Sequence, residues 1–320
     1  MKNWLSKLVA LTATAALVSA CGGSDDPAPG NLAEVAQQQG FTALVAAATK
    51  ADLVPTLSSP TASLTVLAPT DAAFTTLATR LGFSSATAMV TALDGPTLAK
   101  ILSYHVLPTR KAAADLIAGP ATQPTAYTFG SSPATVALST SGGVKFGDAV
   151  RTQATVTTAD VGASTGVIHV IDKVLIPPGV LNIVQMAQAN PAFSTLVSAV
   201  ASRGLVTGLS GAGPFTVFAP TNDAFAAIAS TVAGLTGPQL STVLTYHVLT
   251  SQVLSSGIPF GTPVATLAGQ NITITAGPAP TIARITDTTT APKSILAVDV
   301  RASNGVIHVL SGVLIPNLAN

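Results

Sequence analysis

The chain is poor in charge, in cysteine and in aromatic residues. Charged residues make up 8% and aromatic residues 4% of its 320 residues, and there is one cysteine. Without a field of basic charge, nucleic acid is not an expected partner. A single cysteine excludes an internal disulfide, so the folded chain must be stabilised by core packing alone.

The motifs of several enzyme classes are also missing. The sequence contains no P-loop, no GxGxxG after a predicted strand, no HExxH and no CxxC. Beyond the N-terminus, no apolar run approaches the roughly 18 residues that a membrane span requires. The sequence therefore predicts a protein that is not an enzyme, with neither a cofactor nor a metal.

The N-terminus resembles a bacterial export signal. Lys2 and Lys7 precede an apolar stretch, residues 8–20, which is too short for a stable span. The stretch ends at Val18-Ser19-Ala20-Cys21, which resembles a lipobox. In a lipobox the cysteine becomes the new N-terminus and carries acyl chains, so Cys21 is the predicted lipidation site. The alternative is an ordinary cleaved signal peptide followed by an incidental cysteine.

A polar segment rich in glycine and proline, residues 21–30, follows the predicted signal peptide of residues 1–20. This composition predicts a flexible tether. Gly22 follows Cys21 where an aspartate would retain the protein at the inner membrane, so the lipobox resemblance implies delivery to the outer membrane. We therefore expect an exported protein in the cell envelope that touches the membrane through its lipid anchor only, in the outer membrane, facing the periplasm or on the cell surface.

The rest of the chain consists of two similar copies, which we predict to be domains over residues 31–178 and 181–316. Each is of ordinary single-domain size, and units of this length do not fit a solenoid. The matching blocks are Phe41–Leu57 with Phe193–Leu209, Leu64–Leu77 with Phe215–Ile228, Ile101–Leu107 with Val243–Leu249, and Ser164–Pro177 with Ser303–Pro316.

Within each copy, a short apolar strand is predicted to lead into a helix. Pro69 and Pro220 end the strands, and Thr70 and Thr221 stand where a helix N-cap is wanted. Spacing of i, i+3, i+4 and i+7 predicts one buried helix face in each copy. These faces are Phe74, Leu77, Ala78 and Leu81 in the first copy and Phe225, Ile228, Ala229 and Val232 in the second.

The later part of each copy is rich in β-forming residues, so each copy is predicted to be α+β with segregated helices. The run "YHVL" is part of this pattern and is predicted to be extended from its tyrosine onward. In that interpretation Tyr104 and Val106 share one face of a strand, and His105 and Leu107 share the other.

All four histidines fall in the repeated blocks, at positions 105, 169, 247 and 308. They are either hydrogen-bonded core residues, or ligands of a metal together with a carboxylate. The matched positions favour the first interpretation, because Asp172 in the first copy is replaced by Ser311 in the second.

Gly162-x-Ser164-x-Gly166 has the spacing of a hydrolase nucleophile elbow. An elbow requires a helix after the serine, whereas "VIHVI" after Gly166 predicts a strand. The second copy has Arg301 in place of Gly162, so the pattern is not repeated.

Three of the repeated blocks, "TVLAPTDAAF", "YH" and "GVIHVIDKVLIP" with their counterparts, resemble the signatures of the fasciclin-type adhesion domain. The resemblance implies two tandem domains, each a β-sandwich-like wedge with helices packed on one side. In animal relatives the tyrosine–histidine region is associated with integrin recognition. The positions that match here are Tyr104, His105, Tyr246 and His247.

The sequence thus favours a non-enzymatic adhesion module that binds a surface or matrix protein or a polysaccharide. Two alternatives stay open. The first is a carrier of an apolar small molecule, since some family members hold carotenoids and Phe41–Ala48 would line a groove. The second is a structural protein of the envelope.

Overall fold

The computed structural model describes residues 29–278, 283–289 and 291–318. The predicted signal peptide, Cys21 and most of the predicted tether lie outside these residues. The helices of the first half are α1 Leu32–Gln38, α2 Thr42–Lys50, α3 Val54–Ser58, α4 Asp71–Arg80, α5 Ala86–Ala92, α6 Gly95–Tyr104 and α7 Ala113–Ala118. Its strands are β1 Leu64–Pro69, β2 Val106–Leu107, β3 Thr122–Phe129, β4 Ser132–Ser139, β5 Lys145–Gly147, β6 Gln153–Ala163 and β7 Gly166–Ile171.

The second half repeats this order. Its helices are α8 Ile183–Ala189, α9 Ser194–Ser202, α10 Val206–Ser210, α11 Asn222–Ala226, α12 Ala229–Ala233 and α13 Gly237–Tyr246, with short 3-10 helices at Pro191–Phe193 and Ser255–Gly257. Its strands are β8 Phe215–Pro220, β9 Val248–Leu249, β10 Pro263–Ala265, β11 Asn271–Ala276, β12 Ala283–Thr286, β13 Lys293–Ala302 and β14 Gly305–Leu310.

Each half contains one seven-stranded sheet. The strand order is β2-β1-β7-β6-β5-β4-β3 in the first half and β10-β11-β12-β13-β14-β8-β9 in the second. Only the β1–β7 and β8–β14 pairs are parallel among the strand pairs of the described residues. Each sheet bends into a wedge whose inside holds its own apolar cluster, and the helices cover the other face. The predicted α+β class and wedge architecture are confirmed.

The central strands are buried on both faces. All six residues of β7 are buried, and so are all six of β14. In β7, Ile168 and Val170 face the helices, whereas Ile171 faces the inside of the wedge. Because alternate side chains point to opposite faces, a strand that is buried on both faces is mostly apolar, and the one polar side chain in each of these strands is a buried histidine, His169 or His308.

The predicted cap and helix face occur fully in the first half. The Thr70 hydroxyl accepts a hydrogen bond from Ala73 N at 3.2 Å, and α4 buries Phe74, Leu77 and Ala78. Leu81, the fourth residue of the predicted face, is half-buried and caps the helix C-terminus.

In the second half, Thr221 also caps its helix, and Ile228 and Val232 of the predicted face pack half-buried against the core. However, the face is not on one continuous helix, and Ala229 is not part of it. Ile228 leaves the helical backbone at φ −123° and ψ 26°, so the segment divides into α11 and α12. The break rotates the chain, and Ala229 is exposed where its counterpart Ala78 is buried.

The two halves are packed against each other. Arg80 Nη1 of the first half donates to Ala189 O at 3.1 Å, and Asn190 Nδ2 donates to Val150 O at 2.8 Å. One apolar cluster runs through both halves and includes Val150 from the first and Phe193 from the second. Buried apolar surface and buried hydrogen bonds together hold the halves in one arrangement.

Candidate functional site

The tyrosine–histidine pairs end helices and do not begin strands. Helix α6 extends through Tyr104, His105 caps its C-terminus, and only Val106–Leu107 is extended. The predicted alternation of Tyr104 and His105 on opposite strand faces is therefore wrong. Helix α13 ends in the same way at Tyr246. β-propensity is a local preference, and packing of the tyrosine inside the wedge overrides it here.

Both histidines of these pairs are buried and fully hydrogen-bonded. His105 Nε2 accepts a hydrogen bond from Leu175 N at 2.8 Å, which requires that nitrogen to be unprotonated. The proton therefore lies on Nδ1, which donates to Ile101 O at 2.8 Å. His247 is placed identically, with Nδ1 on Val243 O at 2.8 Å and Nε2 on Leu314 N at 2.9 Å. Each ring thus joins a helix end to the chain that follows the last strand.

Burial keeps these two rings neutral. The pKa of His105 is lowered to about 4, mainly by loss of hydration and to a smaller extent by the charge of Lys173, against the hydrogen bond to Ile101. Loss of hydration also lowers the pKa of His247 to about 4, although the bond to Val243 and the charge of Asp287 favour the protonated ring.

The two tyrosines point into the wedges. Tyr104 Oη donates to Thr135 O at 2.9 Å, and Tyr246 Oη donates to Asn271 O at 2.8 Å. Burial raises the pKa of both phenols, and the Tyr104 ring lies edge-on to Tyr127 with centroids 6.2 Å apart. The tyrosines and histidines of both pairs are at most 2% exposed. The resemblance implies that these residues contact a partner, and this stays a prediction. Because the side chains are buried, the predicted contact concerns the surface around them.

The other two histidines have the opposite tautomer. His169 Nδ1 accepts from Asp160 N at 3.2 Å and Nε2 donates to Lys111 O at 2.9 Å. His308 bonds to Asp299 N at 3.3 Å and Val253 O at 2.9 Å in the same way. Burial lowers the pKa of His308. Within the described ranges, no group of three His, Cys, Asp or Glu side chains is placed to hold a metal ion.

The apparent nucleophile elbow is a hairpin turn. Strand β6 ends at Ala163 and strand β7 begins at Gly166, so Ser164 is followed by a strand as predicted. Asp172 Oδ1 accepts a hydrogen bond from Thr155 N at 2.7 Å. In the second half Ser311 Oγ accepts one from Ser294 N at 3.0 Å. The side chains of Asp172 and Ser311 therefore accept the matching backbone hydrogen bond in the two halves, which explains why one residue replaces the other.

Gly166 and its counterpart Gly305 are required by close backbone approach. A Cβ on Gly166 would lie 2.1 Å from Leu64 O, and one on Gly305 would lie 2.1 Å from Phe215 O. These carbonyls belong to the parallel neighbours β1 and β8. The glycine of the third signature is thus explained by strand pairing.

A buried ion pair was not anticipated from the sequence. Lys173 Nζ lies 2.9 Å from Asp148 Oδ2, whose side chain is fully buried. The carboxylate also accepts hydrogen bonds from Ile176 N at 3.2 Å and from Thr152 N at 2.9 Å. Burial lowers the pKa of Lys173, and Asp148 opposes that shift. The only available signal was a lysine next to the apolar run Val174–Ile176 in "IDKVLI".

The helix that contains most of Phe41–Ala48 belongs to the core. Leu44 and Ala48 of α2 border an apolar cavity of about 80 Å³ beneath α1 and α3. The second domain has a cavity of about 40 Å³ at the corresponding helices. Sites for drug-sized ligands usually enclose roughly 300–1,000 Å³, so neither cavity has room for a long apolar molecule.

The described part of the chain contains no helix that is both long and apolar enough to cross a membrane.

Comparison with known proteins reveals similarity in both halves. Protein sll1483 of Synechocystis sp. is 43% identical over 143 residues, which are 42% of this chain and 74% of that protein. Transforming growth factor-beta-induced protein ig-h3 of Sus scrofa is 38% identical over 165 residues, which are 50% of this chain but only 23% of that protein. Cell surface glycolipoprotein MPB83 of Mycobacterium bovis is 35% identical over 138 residues, 41% of this chain and 58% of that protein.

A sequence profile of the family described as Fasciclin domain matches residues 39–177 and 191–316. Each match covers one wedge-shaped sheet and its helices, except for the first helix of each half, α1 or α8. Each of the three signatures corresponds to a structural element. The first forms a capped core helix, the second a tyrosine–histidine pair that ends a helix, and the third a fully buried central strand. The chain therefore contains two fasciclin domains in tandem and belongs to the fasciclin domain family.

Proposed function

We propose that this protein is a non-enzymatic adhesion module of the cell envelope, which binds a matrix protein, a surface protein or a polysaccharide. The observation that carries the proposal is the pair of complete fasciclin domains held in one packed arrangement. Relatives that match about half of this chain or less include a cell surface glycolipoprotein and transforming growth factor-beta-induced protein ig-h3, and the first of these names supports a surface role.

The hydrogen bonds of the histidines argue against a catalytic role for these rings. Each histidine of the chain bonds to a backbone group through both ring nitrogens. A general base needs a free nitrogen within reach of its substrate, and these rings offer none in this arrangement.

Two rigidly joined domains favour adhesion for a second reason. When two binding surfaces are held at a fixed separation, the second contact with a polymer is intramolecular and gains from effective concentration. The small apolar cavities give the carrier alternative no comparable support.

Attachment through lipidated Cys21 is part of the proposal and rests on the sequence "LVSAC". Two or more acyl chains make membrane attachment stable, since each buried methylene contributes about 0.8 kcal/mol. We expect Cys21→Ser to move the protein from the membrane fraction to the soluble fraction. If the variant stays in the membrane fraction, lipid anchoring is refuted.

The adhesion role is tested by deletion in the native host. Cells that lack the protein are compared with the parent and with a strain that carries the restored full-length chain. Attachment to abiotic surfaces, to matrix-coated surfaces and to other cells is measured. We expect reduced attachment in the deletion strain and recovery on restoration. Equal attachment in all three strains, with an unchanged envelope permeability, removes the proposal.

A further inference from the structure

A cleft lies between the two domains. It has a volume of about 900 Å³ and is lined by β4 and the turn before β6 from the first domain and by β13 from the second. Neither domain forms this cleft alone. Its size is within the range of roughly 300–1,000 Å³ that is typical of ligand sites.

Two arginines border the cleft, one from each domain, and each contacts the opposite domain. Arg151 of the first domain donates from Nη2 to Val298 O of the second at 3.2 Å. Arg301 of the second domain lies over the Phe129 ring of the first, with its guanidinium carbon 5.6 Å from the ring centroid. The two cations are therefore positioned by the domain arrangement itself.

The interdomain linker helps to place Arg301. Gly179 N donates to Arg301 O at 2.9 Å, and Tyr127 Oη holds the preceding Pro178 O at 3.0 Å. A Cβ on Gly179 would lie 2.2 Å from the Phe129 ring, so only glycine lets the ring rest on the linker. The ring, the linker and the arginine thus form one packed unit.

The cation–π contact with Phe129 does not use the N–H groups of Arg301 as hydrogen-bond donors. These N–H groups lie in the guanidinium plane as a fixed fork. Those N–H groups match the two oxygens of a carboxylate. Arg151 uses one nitrogen for Val298 O and keeps further donors at an exposed position.

The acidic residues of the cleft are engaged within their own domains. Asp148 is paired with Lys173, and Asp299 accepts hydrogen bonds from Ser255 N and Ser255 Oγ. Arg151 and Arg301 balance Asp148 and Asp299 in the lining of the cleft, and Lys173, which lies outside that lining, is the partner of Asp148. The remaining polar lining is mostly neutral, with side chains such as those of Thr122, Ser132, Thr152 and Gln153.

We propose that this cleft binds an acidic polysaccharide, with Arg151 and Arg301 holding uronate carboxylates and the neutral side chains contacting sugar hydroxyls. The inference rests on the proposed adhesion function and names its ligand class. An acidic peptide shares the carboxylates but lacks the dense hydroxyl groups that the neutral lining fits.

The test measures binding of the purified full-length chain to polygalacturonate at low ionic strength. Arg151→Gln and Arg301→Gln are each expected to raise the Kd about tenfold, because a charge-assisted hydrogen bond is lost. Arg203→Gln is the matched control, since it removes the same charge from an exposed site that bonds to Ser241 outside the cleft. Arg301→Lys is expected to restore part of the affinity, because it keeps the charge without the planar fork.

Dextran and polyglutamate serve as comparison probes, and thermal unfolding confirms that each variant is folded. The inference is overturned if polygalacturonate does not bind, if all three glutamine variants bind equally, or if dextran binds as well. Polyglutamate binding that equals polygalacturonate binding overturns the polysaccharide assignment in favour of an acidic peptide. A deletion strain with normal attachment refutes the adhesion role instead. If cell attachment is lost on deletion of the protein but is normal when the chain carries both Arg151→Gln and Arg301→Gln, only the proposed role of the cleft is refuted.

Discussion

Asp148 in the first domain and Asp287 in the second accept the same backbone hydrogen bond, from Ile176 N at 3.2 Å and from Ile315 N at 2.8 Å. Their surroundings differ. Lys173 pairs with Asp148, whereas Asp287 binds the backbone N–H and hydroxyl of Thr289. The fold therefore requires a carboxylate that holds the chain after the last strand, and the counter-ion is a feature of one domain.

The second domain has a different residue at the position that matches Lys173. The matching residue is Gly312, and a Cβ there would lie 2.7 Å from Lys293 Cδ. The Lys293 stem thus packs over the glycine, and its Nζ donates to Thr289 Oγ1 at 3.1 Å and Ala291 O at 2.8 Å. A cation from a different strand occupies the space without a direct ion pair to Asp287 among the described residues.

The largest expected effect concerns a feature that both domains share. Gly166→Ala and Gly305→Ala should each destabilise the protein by about 4 kcal/mol, because the new Cβ would overlap a neighbouring strand carbonyl. Denaturant unfolding of the full chain measures the loss, and hydrogen exchange assigns it to one domain. Gly162→Ala is the control, since no atom lies within 4 Å of its Cβ position. Equal stability of Gly162→Ala and Gly166→Ala would show that β1 and β7 move apart to admit the new Cβ without a loss in the free energy of unfolding.

The buried histidines predict that both domains lose stability in acid. His105 and His247 have a pKa of about 4 when folded, against 6.5 when exposed, so the unfolded chain binds more protons between these values. Stability is full above pH 6.5 and falls as the pH drops toward 4. At roughly 1.4 kcal/mol per pKa unit, the loss is about 3 kcal/mol for each ring.

Urea unfolding between pH 7 and 4 checks this prediction. His105→Gln should flatten the pH dependence of the first domain only, as resolved by hydrogen exchange, and His247→Gln that of the second. If stability is constant over this range in the unsubstituted chain, the neutral buried rings are wrongly assigned.

Replacing the matching carboxylates, Asp148 and Asp287, should affect the stability of the two domains differently. We expect Asp148→Asn to cost about 2 kcal/mol more than Asp287→Asn, because it leaves the mostly buried Lys173 without its partner. Removing the lysine as well, in Asp148→Asn with Lys173→Met, should recover part of the loss. Equal costs for the two Asn variants in denaturant unfolding would show that the ion pair adds nothing to the backbone contacts.

The smallest expected effect is at the helix caps. Thr70→Ala should destabilise the first domain by about 1 kcal/mol, the usual contribution of an N-cap hydroxyl. Thr221→Ala should have roughly half that effect, because α11 has five residues where α4 has ten. Serine at either position keeps the hydroxyl and should restore thermal stability. A larger loss at Thr221 than at Thr70 would contradict the role of helix length.

Local patterns predicted the parts of the fold whose causes are local. Thr70 caps its helix because its hydroxyl reaches an N–H three residues away, and Pro96 stands in the first turn of α6, where a missing N–H does no harm. Ser164 was correctly assigned to a turn, because the run that begins at Gly166 could only be a strand.

Contacts distant along the chain were not predictable from such patterns. Tyr104 was expected to begin a strand, and it ends a helix because its hydroxyl reaches Thr135 O in the wedge. The pairing of Lys173 with Asp148 joins residues 25 positions apart. Neither partner is marked by a periodic pattern.

The sequence by itself determined the two copies, their α+β class and the turn that replaces the apparent elbow. Repetition, side-chain period and turn chemistry are written in neighbouring residues. Only the tertiary structure decided that the tyrosines and histidines of the second signature are enclosed, and that Arg151 and Arg301 meet at a cleft. Burial and the approach of two domains depend on how the whole chain packs, because a side chain's surroundings come from segments far away in sequence.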